Sequence, residues 1–94
     1  MDSERDRYSV SFKPSAQKAL AGLSKKDQRL VARRVDSLAL DPRPSGVEKL
    51  KGGGDLHRVR SGNYRIVYQI RDRVLTVLVV AIGHRRDVYD LLDF

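Results

Sequence analysis

The sequence predicts a small α+β domain: one strand, two helices, three strands and a short terminal helix, forming a single unit over residues 1–94. Three observations predict it. Apolar and polar residues alternate in short runs, as they do in strands with one buried face. Between the first run and the others, apolar residues recur at helical spacing. The last three runs are separated by tight turns, which favours antiparallel pairing over crossovers and places the helices on one face of an antiparallel-rich sheet.

The elements follow in order. Residues 1–7 are charged and offer nothing to bury. Tyr8-Ser9-Val10-Ser11-Phe12 alternates as a half-buried strand. Pro14 suits the first turn of a helix, and Ala16, Ala19, Leu20 and Leu23 then mark its buried face, with Gly22 at the stop. Ser24 reads as an N-cap, with Asp27 three residues on. The second helix is expected from about Lys25 to Leu40, its apolar stripe being Leu30, Val31, Val35, Leu38 and Ala39. Its short link to the first makes an antiparallel helical hairpin. Asp41-Pro42-Arg43-Pro44 ends it, since proline disfavours helix in the residue before it. Residues 41–54 are expected to be a loop, in which Gly52-Gly53-Gly54 gives a flexible entry to the sheet and matches no phosphate-loop motif.

The stretch from Asp55 to Tyr89 organises the chain. Strands are expected at Asp55–Arg60, Tyr64–Arg71 and Val74–Gly83, with turns at Ser61-Gly62-Asn63 and Arg71-Asp72-Arg73. In the middle strand Tyr64, Ile66, Tyr68 and Ile70 share the face beneath the helical hairpin, and Arg65, Val67 and Gln69 share the other. The third strand is apolar throughout and is expected at the buried centre. Arg58, Arg60 and Arg65 are left on an open basic face. Gly83-His84-Arg85-Arg86 leads into a short helical pattern, on which Arg85 and Tyr89 lie on one side and Val88, Leu91 and Leu92 form the apolar stripe.

Composition narrows the chemistry. Nineteen Lys and Arg against twelve Asp and Glu give a formal net charge of +7, which suits a polyanion or an acidic protein as partner, or simply aids solubility. There is no cysteine, only two histidines, and no clustered acids, so neither a metal site nor any other cofactor is expected. No serine carries a nucleophile motif, and no carboxylates are paired as glycoside hydrolysis requires. The N-terminus does not read as a signal peptide, and the one long apolar run covers about nine residues, well short of the ~20 that span a membrane, so the expected location is cytoplasmic and no membrane partner is expected. What remains is guanidinium, a phenol and an imidazole. Arginine binds phosphate bidentately and stays charged. RNA brings its own nucleophile, the 2′-hydroxyl, so such a surface need only orient it, stabilise charge on phosphorus and manage two protons.

At these residues the chain resembles the RelE toxins of the RelE/ParE toxin–antitoxin superfamily. The matching pieces are the helical hairpin, EKLKGGGDLHRVRSGNYRIVYQI and VLVVAIGHRRDVY, which together cover nearly the whole domain. The resemblance implies the toxin of a type II system: a ribosome-dependent, metal-independent mRNA endoribonuclease acting in the ribosomal A site, inhibiting translation and held inactive by a RelB-like antitoxin that wraps around it. It further implies a site made of two basic residues on the second strand, an arginine on the third, an arginine after the fourth and a nearby tyrosine. Those positions match Arg58, Arg60, Arg65, Arg85 and Tyr89, of which Arg60, Arg65, Arg85 and Tyr89 are the candidate catalytic residues. Lys26, Lys49, Lys51, Arg58 and Arg86 are candidate RNA-binding residues.

The chain departs from the family at Arg60, where the proposed general base is typically lysine. An arginine with a pKa above ~12 is a poor base at neutral pH, so Arg60 is read as a phosphate grip and His84 becomes the candidate base. The bland alternative for His84 is packing at a strand end. His57 alternates onto the core side and is read as a satisfied, partly buried histidine. Arg58 and Arg60 can also be read as solvating a sheet face, Arg85 and Arg86 as pairing with Asp87 and Asp90, and Tyr89 as core. Lys26, Arg29 and Arg33 form a basic stripe on the second helix, which reads first as a solvated face and second as a contact for RNA phosphates. Two other functions stay open: a ParE-like toxin that inhibits DNA gyrase by binding, and a non-toxic RNA-binding module.

Overall fold

The computed structural model describes residues 7–50 and 55–84. The terminal helical pattern with Arg85, Arg86 and Tyr89 lies outside the described residues, as do Lys51 and the triple glycine. Strand β1 (Ser9–Phe12) is followed by helices α1 (Pro14–Ala21) and α2 (Lys25–Leu40), then by strands β2 (Glu48–Lys49), β3 (Leu56–Ser61), β4 (Tyr64–Arg71) and β5 (Thr76–His84). The five strands form one sheet in the order β1-β5-β4-β3-β2. Neighbours are antiparallel except β1, which runs parallel to β5. The α+β class and the helical hairpin on one face are as the sequence predicts.

The hairpin is set by its caps. Pro14 starts α1 in its first turn, where its missing N–H is no loss. The Ser24 hydroxyl accepts from the Asp27 N–H at 3.2 Å, satisfying one of the unpaired donors at the start of α2. The Gln28 amide donates to the carbonyls of Ala21 (3.0 Å) and Leu23 (2.9 Å), tying the second helix to the end of the first. From α2, Val31, Val35 and Leu38 pack with Ala16 of α1 against Val59, Ile66, Tyr68, Ile70, Val77 and Val79 of the sheet. Tyr68 is fully buried and donates its hydroxyl to the Pro42 carbonyl at 2.7 Å. Leaving water destabilises the phenolate, so its pKa is pushed up to about 12.

Several details differ from the sequence reading. Leu30, assigned to the apolar stripe of α2, is 44% exposed. Glu48 and Lys49, expected in a loop, pair with Arg58 and His57 as a minimal edge strand; two residues carry no periodicity to read. Ser61 is the last residue of β3, paired with Tyr64, so the turn is the two-residue Gly62-Asn63. Gly62 has φ 59°, the positive value that primed hairpin turns require. The third predicted strand starts at Thr76 rather than Val74, because Asp72–Val74 form a 3-10 turn and Leu75 is left-handed at φ 47°.

The register also breaks once. Val67 pairs with Ala81 but Tyr68 pairs with Val79, so Val80 is an extra residue on β5. A bulge of this kind reverses the facing of every residue beyond it. Ile82 and His84 therefore join the face of Ile66 and Tyr64, while Gly83 lies opposite Arg65.

Candidate functional site

On β3 and β4 strict alternation puts Arg58, Arg60, Arg65, Val67 and Gln69 on the face away from the helical hairpin. Arg60 and Arg65 are direct cross-strand partners, and Arg58 stands opposite Val67. Side chains so placed begin about 5 Å apart, where two like charges oppose one another. A hydrophobic patch adjoins them: Val67 is 0% exposed and Ala81 4%, with Leu50 and Leu56 packed against both. The face expected to be open is thus divided, with an apolar half around Val67 and a basic half at the β3–β4 hairpin.

Arg58 forms an ion pair with Glu48 of β2, its cross-strand neighbour, and its side chain is only 13% exposed. The short strand that the sequence did not reveal thereby holds one of the predicted site arginines in place. Lys49, on the same strand, is exposed and pairs with His57. His57 is buried as expected: its Nδ1 lies 2.9 Å from the Asp55 carbonyl, and its ring stacks on Tyr68 with centroids 5.9 Å apart.

His84 is placed differently. The Val80 bulge carries it to the helix-side face, where its ring meets the edge of the Tyr64 ring at a centroid distance of 6.2 Å. The Tyr64 hydroxyl in turn donates to Asp27 at 3.0 Å, and this bond to a carboxylate raises the phenol's pKa. The structure does not bring His84 to the arginines. Unbroken alternation from Val77 would have put it beside Arg65, and only the bulge prevents this.

Lys26 lies on α2, away from the sheet arginines, in a hollow with Arg29, Leu30 and Arg33. Sequence reasoning missed Arg34, whose Nε donates to the Arg60 carbonyl at 3.2 Å across the outer edge of β3. Nothing in the periodicity of α2 announces that contact, since its acceptor is a backbone atom twenty-six residues away. Among the described residues no three His, Cys, Asp or Glu side chains come together as metal ligands.

A family model described as the ParE toxin of the type II toxin–antitoxin system parDE matches residues 10–89. The chain belongs to the RelE/ParE superfamily of type II toxins. A RelE-like toxin protein of Escherichia coli is 37% identical over 90 residues, 90% of this chain and 93% of the relative. Among solved structures, the archaeal RelE–RelB complex from Pyrococcus horikoshii OT3 is similar at TM-score 0.75 and 31% identity, covering 84% of this chain and 96% of that one. The intact E. coli RelBE toxin–antitoxin complex is similar at TM-score 0.72 and 28% identity, covering 82% and 95%. The helical hairpin and the mostly antiparallel sheet match these RelE folds, and both neighbours are seen with RelB-type partners. No helix of the described residues is long and apolar enough to cross a membrane.

Proposed function

We propose that this toxin is a ribosome-dependent mRNA endoribonuclease that works without a metal ion, inhibits translation in the cytoplasm and is neutralised by a RelB-like antitoxin. The observation that carries the reading is the pairing of Arg60 with Arg65 on the face where Arg58 also stands. Two guanidinium groups opposed across a strand pair can grip one anion together, and a phosphodiester matches guanidinium geometry.

In this mechanism the RNA 2′-hydroxyl loses its proton and attacks phosphorus, the bond from phosphorus to the 5′-oxygen breaks, and that oxygen takes up a proton. The products are a 2′,3′-cyclic phosphate and a 5′-hydroxyl. Arg65, on an interior strand, stabilises the charge that builds on the phosphoryl oxygens. Arg58 and Arg60 grip phosphate, and Arg60 does not act as base. Arg85 and Tyr89 are assigned to the same site, Arg85 to neutralise the leaving oxygen and Tyr89 to orient a base or move a proton. Lys49, Lys51 and Arg86 add contacts to the RNA backbone. His84 is the weaker choice of base, because reaching the arginines from beside Tyr64 requires passing around the end of β5.

The test is induction in growing bacteria with mapping of mRNA 5′ ends, alongside a gyrase supercoiling assay. Cleavage clustered within translated codons, persisting in purified ribosomes with excess chelator, is the expected result. Intact mRNA with inhibited supercoiling would establish instead the second reading, a ParE-like gyrase inhibitor, which the matched family description favours.

A further inference from the structure

The end of the sheet at the β4–β5 turn differs from the rest of the surface in two ways. The first is its mixture of charge. A hollow of about 430 Å³ there is lined by Asp55, Gln69, Ile70, Arg71, Asp72 and Arg73. Two carboxylates and two arginines thus share one hollow on a chain of formal net charge +7. Asp72 is held by Arg43 and Tyr8, which leaves Asp55 as the acid open to a partner. Asp55 and Arg73 are exposed, and among the described residues neither forms an ion pair.

The second difference is apolar exposure. Among the described residues the large hydrophobic side chains left exposed are Leu30, Leu40, Val74 and Leu75, and all but Leu30 belong to this end. Val74 is 65% exposed and Leu75 40%, both in the turn; Leu40, the last residue of α2, is 60% exposed. Backbone bonds bring the two segments together. The Tyr8 N–H donates to the Ala39 carbonyl and the next N–H, that of Ser9, to the Leu75 carbonyl, both at 2.7 Å. Leu75 also keeps a left-handed backbone, φ 47°, which glycine adopts freely and leucine does not. The turn therefore shows two adjacent aliphatic side chains to water, one of them on a backbone that disfavours it.

We propose that this end is the contact through which two copies of the chain associate, about a two-fold axis that sets Val74 and Leu75 against the same residues of the second copy. The proposal goes beyond the nuclease reading and does not depend on it. Charge selects the occupant. In a two-fold contact residue i meets j and j meets i, so the surface has to complement itself. An apolar centre beside charges of both signs does so: Arg73 of one copy is assigned to Asp55 of the other, and symmetry supplies the reciprocal pair. A polyanion or an acidic peptide would meet the Asp55 carboxylate with like charge. Elsewhere a chain of this net charge repels its own copy. The patch is one turn and one helix end, so the interface belongs at the small end of the specific range and the dimer is a weak, concentration-dependent one. Such a dimer leaves the β3–β4 end of each copy, with Arg60 and Arg65, uncovered.

The test is sedimentation equilibrium of the full chain alone over a wide range of concentration, where the average mass is expected to rise from one chain toward two. Val74→Glu, its fold checked by circular dichroism and thermal melting, is expected to raise the dissociation constant about tenfold or more. Arg73→Asp and Asp55→Arg are each expected to weaken association as well, since each sets like charges against one another at both reciprocal contacts. An equimolar mixture of those two variants is expected to associate with near-parental strength, because each copy then supplies the charge the other lacks. The swaps lie on exposed residues and read the contact even if Val74→Glu fails to fold. A parental chain that stays monomeric throughout would overturn the proposal. So would a dimer that all three folded variants leave intact, or a mixture of the swaps that stays monomeric. A monomeric parental chain whose Val74 and Leu75 amides are shielded from hydrogen exchange by an RNA hairpin or a Glu-rich helical peptide would assign the surface to that partner and overturn it too. The measurement contains no RNA cleavage, so its outcome is independent of the nuclease reading.

Discussion

Arginine is used in opposite ways at the two ends of the sheet. At the β4–β5 turn, Arg43 donates to both oxygens of Asp72, at 2.9 and 3.3 Å, and the Tyr8 hydroxyl donates to the same carboxylate at 2.6 Å. That cluster clasps the residue before β1, the loop after α2 and the β4–β5 turn together. At the β3–β4 turn, Arg60 faces another arginine, and α2 adds more guanidinium beside it. One end joins its arginine to an acid; at the other, two arginines stand opposite each other across the strand pair.

The largest effect that would break this contrast is on catalysis. Under the nuclease reading, Arg65→Ala is expected to slow single-turnover cleavage on saturating ribosomes by ~10²–10³, or about 3–4 kcal/mol, with melting unchanged. Parental rates there would remove the sheet face from the chemistry. Next comes the core between the ends. Tyr68→Phe leaves the buried Pro42 carbonyl without its donor and is expected to cost ~1–3 kcal/mol, read from the denaturant midpoint, with RNA cleavage unaffected at temperatures where the fold holds.

Smaller effects test the ends directly. Under the nuclease reading, Arg60→Gln is expected to weaken RNA binding while thermal melting shifts by no more than ~1 kcal/mol, since Arg60 is exposed. Leu75→Gly should relieve a left-handed strain of ~1–2 kcal/mol, offset by glycine's entropy, for a net gain of at most ~1 kcal/mol in thermal melting. At the clasp the bonds from Arg43 and then Tyr8 hold the Asp72 carboxyl below its ordinary pKa of 3.8. A carboxyl lowered on folding adds stability above the unfolded value and loses it as pH falls through the folded one. The parental chain should therefore lose part of its stability below about pH 4, and Asp72→Asn should already lack that part at pH 7. An identical acid profile in the two proteins would show the clasp to be energetically silent.

Where sequence revealed structure, the signal was local. The limits of α2 and β4 and the Ser24 cap follow from caps, prolines and period, all of which act within one or two turns of chain. The arginine face was legible for the same reason, since β3 and β4 alternate without interruption. What could not be read was register within an unpunctuated apolar run. Val77 to Ile82 contains no polar residue to show which face is wet, so nothing marks Val80 as the extra residue, and the placing of His84 failed with it. The other omissions are long-range bonds: Arg34 to the Arg60 backbone, Tyr8 and Arg43 to Asp72. Each depends on two distant segments arriving at one place, which no window of sequence contains.

The parallel contact between β1 and β5 has a consequence for synthesis. The strand nearest the beginning of the described chain finds its only sheet partner in the strand nearest the end, Ser9 lying beside Thr76 and Phe12 beside Val79. A nascent chain can form its helical hairpin early, but it cannot close its sheet until β5 has emerged. The Arg60–Arg65 hairpin has β2 on its outer side, but β4 gains its other neighbour only when β5 arrives. For a toxin this is a built-in delay: the β4 edge of the face that carries Arg65 stays open until β5, the last strand of the described residues, has been made.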